Sequence, residues 1–159
     1  MSHENVAVVR KGIEAWNQHD ADLWLSYAVP DVEWMPAGPA AVERSVYRGR
    51  DEVAQGFAAV WQTWDVFEFE ENDVRDLGDE VLWLGRVRMR GAASQVDLDQ
   101  EFAIHSRLRS GKVRAFALQE PNAFADTLFI ARQSLEVGQN GFVPRSRRLQ
   151  NWVVHRTRY

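Results

Sequence analysis

The chain has 159 residues, 45% of them hydrophobic and 26% charged, no cysteine and a net charge of −4. That profile fits one globular domain with a core of its own, and it excludes disulfides, thiolate metal sites and cysteine nucleophiles. No stretch approaches the roughly 18 apolar residues of a membrane span. Met1 to Asn5 is polar and shows no secretory signal, so the expected location is cytoplasmic.

Val6, Val9, Ile13 and Trp16 recur at helical spacing and predict a first amphipathic helix. Asp20 is a good N-cap for a short second helix with Leu23, Trp24 and Tyr27 on its buried side, ended by Pro30. Asp31 to Met35 reads as a strand stopped by Pro36 and the Gly38-Pro39 loop. Gly49 to Asp51 opens a third helix, in which Asp51 and Glu52 suit the positive N-terminus and Val53, Phe57, Val60, Trp61 and Trp64 follow one face.

From Val66 the period changes to two. Strands are expected at about 66–76, 80–90, 96–109 and 112–120, with turns at Gly78-Asp79 and Ser110-Gly111. In the strand near 96–109, Leu98, Phe102, Ile104 and Leu108 share one face, and Asp97, Asp99, Glu101, His105 and Arg107 the other. Pro121 and Asn122 end the sheet, and a short helix is expected over 123–132. Helices first and consecutive antiparallel strands after them predict an α+β fold, helices packed on one face of a curved sheet, with a cavity at its open end.

Gln133 to Tyr159 carries Arg145, Arg147, Arg148, Arg156 and Arg158 against Glu136 alone. This basic extension, 133–159, is expected to stand apart from a domain over 1–132, and to dock on that domain or on a partner subunit. The acidic body argues against a nucleic-acid surface, and five Arg with one aromatic pair make the tail only a weak signal for one.

Asp31 to Pro36, Tyr47 to Val53 with its Gly49-Arg50-Asp51 start, and the Gly111-Lys112-Val113 hairpin come in an order and spacing that resembles the SnoaL-like and nuclear-transport-factor-2-like superfamily. The resemblance covers about residues 5–132. It implies a cone-shaped α+β barrel, N-terminal helices in the concave face of a mainly antiparallel sheet, and a homodimer through the sheet. Members include polyketide cyclases, ketosteroid isomerases, limonene-epoxide hydrolases and proteins without catalysis, so the fold alone names no reaction.

The catalytic positions that the resemblance implies are mostly replaced. Gly12, Met35 and Ile104 stand where ketosteroid isomerases carry a Tyr and two Asp. Arg86 matches the Arg of the limonene-epoxide hydrolases, but Arg88 and Leu118 stand at their two Asp, and Trp34 stands where many relatives have His. Without those carboxylates both proton shuttles lack a base.

The strand at 80–90 offers two readings. Its periodicity turns Val81, Trp83, Val87 and Met89 to the core, whereas the resemblance turns Leu82, Leu84, Arg86 and Arg88 into the cavity. On the second reading Arg86 and Arg88 form an anion clamp and Glu120, at the end of the last strand, is the candidate base. Tyr27, Trp34, Trp61, Phe102, Ile104, Phe116 and Leu118 are the expected ligand-binding residues. No His pair has ligand spacing, and no phosphate loop, nucleophile elbow or dinucleotide fingerprint occurs, so no metal and no cofactor are expected.

Three functions stay open: a cofactor-independent cyclase, isomerase or hydrolase acting on a small, apolar, oxygen-bearing molecule; a non-catalytic binding module for such a molecule; and a dimeric interaction protein.

Overall fold

The alternation read along the chain resolves into one sheet and three helices in a computed structural model that describes residues 2–119. Glu120, the helix expected over 123–132, the boundary at 132/133 and the basic extension lie outside the described residues.

Helix α1 (Ser2–Asn17) buries Val9 and Trp16, with Val6 and Ile13 half-buried beside them. Its end is fastened to strand β3 (Trp64–Asp76) by polar contacts. Asn17 donates Nδ2–H to the carbonyl of Phe69 and accepts that residue's N–H on Oδ1, both at 2.9 Å, and Trp16 Nε1–H donates to the carbonyl of Phe67 at 3.0 Å. These bonds cover part of an edge strand that would otherwise offer free backbone groups.

Helix α2 (Ala21–Ser26) is capped by Asp20, whose Oδ1 accepts the N–H of Leu23 at 2.9 Å. It buries Trp24 and Leu25 and leaves Leu23 exposed, which corrects the expected face by one apolar position. Pro30 does not end this helix. It lies inside strand β1 (Ala28–Met35), where pairing with β6 (Lys112–Gln119) jumps from Ala28↔Val113 to Glu33↔Ala115. A residue without N–H is tolerated at such an irregularity.

Strand β2 (Tyr47–Arg48), only two residues and not foreseen, leads into α3 (Gly49–Thr63). Gly49 takes a φ of +80°, which a Cβ would strain. Arg50 Nη2 donates to the carbonyl of Ala28 at 3.0 Å, and Glu52 Oε2 accepts the N–H of Arg48 at 2.9 Å. The Gly-Arg-Asp start therefore ties helix α3 to the beginning of β1.

Strands β4 (Glu80–Gly91) and β5 (Asp97–Arg109) complete a six-stranded, curved and unclosed sheet in the order β2-β1-β6-β5-β4-β3. Only β1 and β6 run parallel. Ser110 and Gly111, both at positive φ, make the β5–β6 turn. Three helices on one face and a mostly antiparallel sheet are the expected α+β cone architecture.

The core lies between helices and sheet. Phe57 of α3 is its hub: fully buried, it meets the rings of Trp16, Trp24, Trp34, Trp61 and Phe116 at centroid distances of 4.8, 5.1, 4.9, 5.6 and 6.2 Å. Strand β4 settles its own ambiguity. Val81, Trp83, Val87 and Met89 join the core; Arg86, Arg88 and Arg90 are exposed on the other face. Leu98, expected inward, is 45% exposed at the start of β5.

Candidate functional site

Under the helices the sheet leaves a cavity of about 30 Å³. Alpha-helix α1 contributes Val9, Gly12, Ile13 and Trp16; Trp24 and Tyr27 come from α2 and its end; Trp34 and Phe69 come from β1 and β3. The remaining wall is Ile104 and Ser106 of β5 and Val113, Phe116 and Leu118 of β6. At roughly 10–15 Å³ per water-sized probe, this space admits about two or three waters at most. A larger ligand enters only if side chains or the α1–α2 pair shift.

Gly12 explains part of this narrowness. A Cβ there would lie 3.2 Å from Trp24 Nε1, so the indole occupies the space beside the glycine. Trp34 is the best-fixed wall. Its register partners are Tyr47 on one side and Phe116 on the other, and its indole stacks on both, at 5.1 Å and 22° and at 5.7 Å and 11°. Trp34 is fully buried and its Nε1–H has no hydrogen-bond partner; the indole N–H groups of the buried Trp83 and the half-buried Trp61 also lack one.

Of the expected ligand-binding residues, Tyr27, Trp34, Ile104, Phe116 and Leu118 line the cavity. Phe102 is buried outside it, and Trp61 packs on the core with its indole stacked against His19 at 4.9 Å. Ser106, Trp16 and Trp24 line it without having been singled out as ligand contacts. Ser106 is the one buried polar side chain among the described residues. It continues the inward series Phe102, Ile104, Leu108, and a hydroxyl interrupting an apolar face was the available signal.

The cavity's polar side-chain atoms are indole N–H groups and the hydroxyls of Tyr27 and Ser106. No carboxylate, imidazole, ammonium or guanidinium group lines it among the described residues. The inward placement that the resemblance implied for Arg86 and Arg88 is corrected here. They stand on the opposite face, where Arg86 Nε donates to Asp99 Oδ1 at 2.9 Å and Arg88 Nη2 to Glu68 Oε2 at 2.6 Å. Neighbouring carboxylates hold both guanidinium groups above their ordinary range.

That outer face is a charge ladder. Its cation rail is Arg86, Arg88 and Arg90 on β4, with Glu68 and Glu70 opposite on β3 and Asp97, Asp99 and Glu101 opposite on β5. Farther along it, Glu80 meets His105 Nε2 at 3.1 Å and Arg107 Nε at 3.4 Å. The His105 hydrogen bond, against the opposing effect of burial, lowers the Glu80 carboxyl below its ordinary value. No cluster of metal-ligating side chains occurs among the described residues. No helix there is long and apolar enough to cross a membrane.

Comparison with known proteins gives the family. The SnoaL-like domain profile matches residues 9–116. No curated protein matches the sequence significantly. Among solved structures, an NTF2-like protein of unknown function from Burkholderia pseudomallei superposes with a TM-score of 0.68 at 20% identity, over 79% of this chain and 96% of its own. TerC, co-crystallised with polyporic acid, gives 0.67 at 17% identity, over 79% and 97%. A putative SnoaL-like polyketide cyclase from Shewanella denitrificans gives 0.63 at 14% identity, over 78% and 96%. At these identities the likeness is one of fold.

Proposed function

This chain belongs to the SnoaL-like domain family, and we propose that it binds a small, apolar, oxygen-bearing molecule in the cone cavity without acid–base catalysis by the described lining residues. One observation carries this reading: among the described residues the cavity is walled by aromatic and aliphatic side chains and holds no carboxylate, imidazole or ammonium group, the Tyr27 phenol being the one titratable group in that wall. An aromatic-walled space with few polar atoms suits an apolar ligand once side chains or the α1–α2 pair shift to widen it.

The test is a thermal-shift screen of small ketones, lactones and phenols against the wild type and against Ile104→Phe, which fills the cavity. A ligand at 100 times its dissociation constant adds about 2.7 kcal/mol to the wild type, and the filled variant loses that gain. Equal shifts in both proteins would move the binding to the surface.

The second reading is enzymatic, a cyclase, isomerase or hydrolase. Its base would be Glu120, the carboxylate that the resemblance implies, which follows β6 and lies outside the described residues. Turnover abolished by Glu120→Gln, with ligand binding kept, would favour it. A homodimer through the outer face of the sheet is the accompanying proposal. The alternating charges of the ladder exposed on that face support it, whereas Leu82, Leu84, Ala103 and Ala117 are already buried within one chain; light scattering showing a monomer at micromolar concentration would rule it out.

A further inference from the structure

Ser106 interrupts the inward face of β5 between Ile104 and Leu108 and is only 3% exposed. Its hydroxyl bonds to no other group of the chain among the described residues, yet it is not sealed in: Oγ opens onto the cavity that Ser106 lines. A buried hydroxyl facing only hydrocarbon is costly. A second polar atom of the wall is in the same position. The indole nitrogens of Trp34, Trp61 and Trp83 are closed to a water-sized molecule, and that of Trp16 donates to the Phe67 carbonyl. The Trp24 indole N–H is neither closed off nor bonded among the described residues. It lies beside Gly12, another wall residue, where a Cβ would stand 3.2 Å from Nε1.

The two groups flank one ring. Phe116 is the cross-strand partner of Ser106, and the rings of Trp24 and Phe116 meet at 4.6 Å and 43°. All three residues line the cavity. Its volume of about 30 Å³ holds two waters at roughly 10–15 Å³ each. Two waters in series make three hydrogen bonds, which at about 2.8 Å apiece span up to about 8 Å between the end groups. Such a chain also gives each water the two polar partners that a buried water needs, one from the wall and one from the other water. The indole can only donate, and the hydroxyl takes either role, so the directions of the bonds are compatible.

We propose that the Ser106 hydroxyl and the Trp24 indole N–H anchor a chain of two waters inside the cone cavity. The Trp24 N–H donates to the first water, the first donates to the second, and the second donates to Ser106 Oγ. A molecule that widens the cavity displaces this chain. It then offers Ser106 a polar atom of its own or leaves the hydroxyl unpaired, at a loss of affinity. The assignment stands apart from the ligand-binding reading above, because the water chain belongs to the protein with or without a ligand.

The test is water–protein NMR on the full chain labelled with ¹⁵N-tryptophan. The Trp24 indole N–H resonance is identified by its contacts to Phe57 and Phe116. It is expected to show a dipolar cross-peak to water, with the sign of a water that tumbles with the protein; rotating-frame spectra separate this from proton exchange. Ser106→Ala removes one anchor. The cross-peak is then expected to vanish, and the melting temperature to fall by about 3–5 °C as a bridged hydroxyl is lost. A cross-peak unchanged in that variant overturns the role of Ser106. A higher melting temperature marks a dry cavity relieved of an unpaired hydroxyl, and overturns it as well. Should the variant fold poorly, the wild-type spectrum decides: a Trp24 N–H without a cross-peak to bound water overturns the proposal. Each of these failures leaves the ligand-binding reading to its own screen.

Discussion

The two faces of one sheet are built from opposite chemistry, and β4 shows it within a single strand. Val81, Trp83, Val87 and Met89 enter the core, while Arg86, Arg88 and Arg90 project the other way into a ladder of carboxylates. On the helix side the free energy comes from burying aromatic area. On the outer side the ion pairs are exposed and screened, so they set surface character more than stability. Among the described residues the separation also leaves the cavity wall without charge: Arg86, Arg88 and Arg90 of β4 all stand on the face away from it.

Phe57→Ala strikes the inner face hardest. Removing the hub ring should lower unfolding free energy by about 3–5 kcal/mol, read from the urea midpoint. A loss below 1 kcal/mol would mean the aromatic cluster contributes little beyond filling space.

A smaller effect is expected where a partly buried charge stands on the outer side. The folded-state carboxyl of Glu80 is lowered by His105 from 4.5, so its contribution is full above that value and is lost as pH falls through the lower folded one. The wild type should therefore lose melting temperature in acid below about pH 4.5, and Glu80→Gln should show a flatter profile there. Identical acid limbs would remove Glu80 from the account.

Smallest of all is the ladder itself. Arg86→Ala and Arg88→Ala should leave both the urea midpoint and cavity binding unchanged within error, since both side chains are about half exposed or more. Weaker binding in either variant would contradict their outward placement and revive the anion clamp.

How far these faces could be read beforehand differs between fold and site. Alternation in β4 named the inward residues, and carrying positions over by resemblance reversed them. A shift of one residue in a strand exchanges its faces, so a matched Arg is no guide to direction. Pro30 read as a helix stop because the irregular β1–β6 register that accommodates it depends on a distant strand. The aromatic wall was legible from Trp34, Ile104, Phe116 and Leu118. Ser106 was not, because an isolated hydroxyl between apolar residues carries meaning only once its cross-strand neighbours are known. Trp24 was legible as buried, but its closeness to the cavity depends on Gly12, which no periodicity announces.

The parallel pairing of β1 with β6 has a consequence for how the protein is made. Hairpins β3–β4 and β4–β5 can close as soon as they emerge, but Trp34 waits for Phe116, from the last strand of the sheet, before its second face is covered. Closing so distant a contact is slow compared with hairpin formation. During synthesis the most apolar part of the first strand therefore stays uncovered longest. A chain halted before residue 112 would present that tryptophan to whatever else is in the cell.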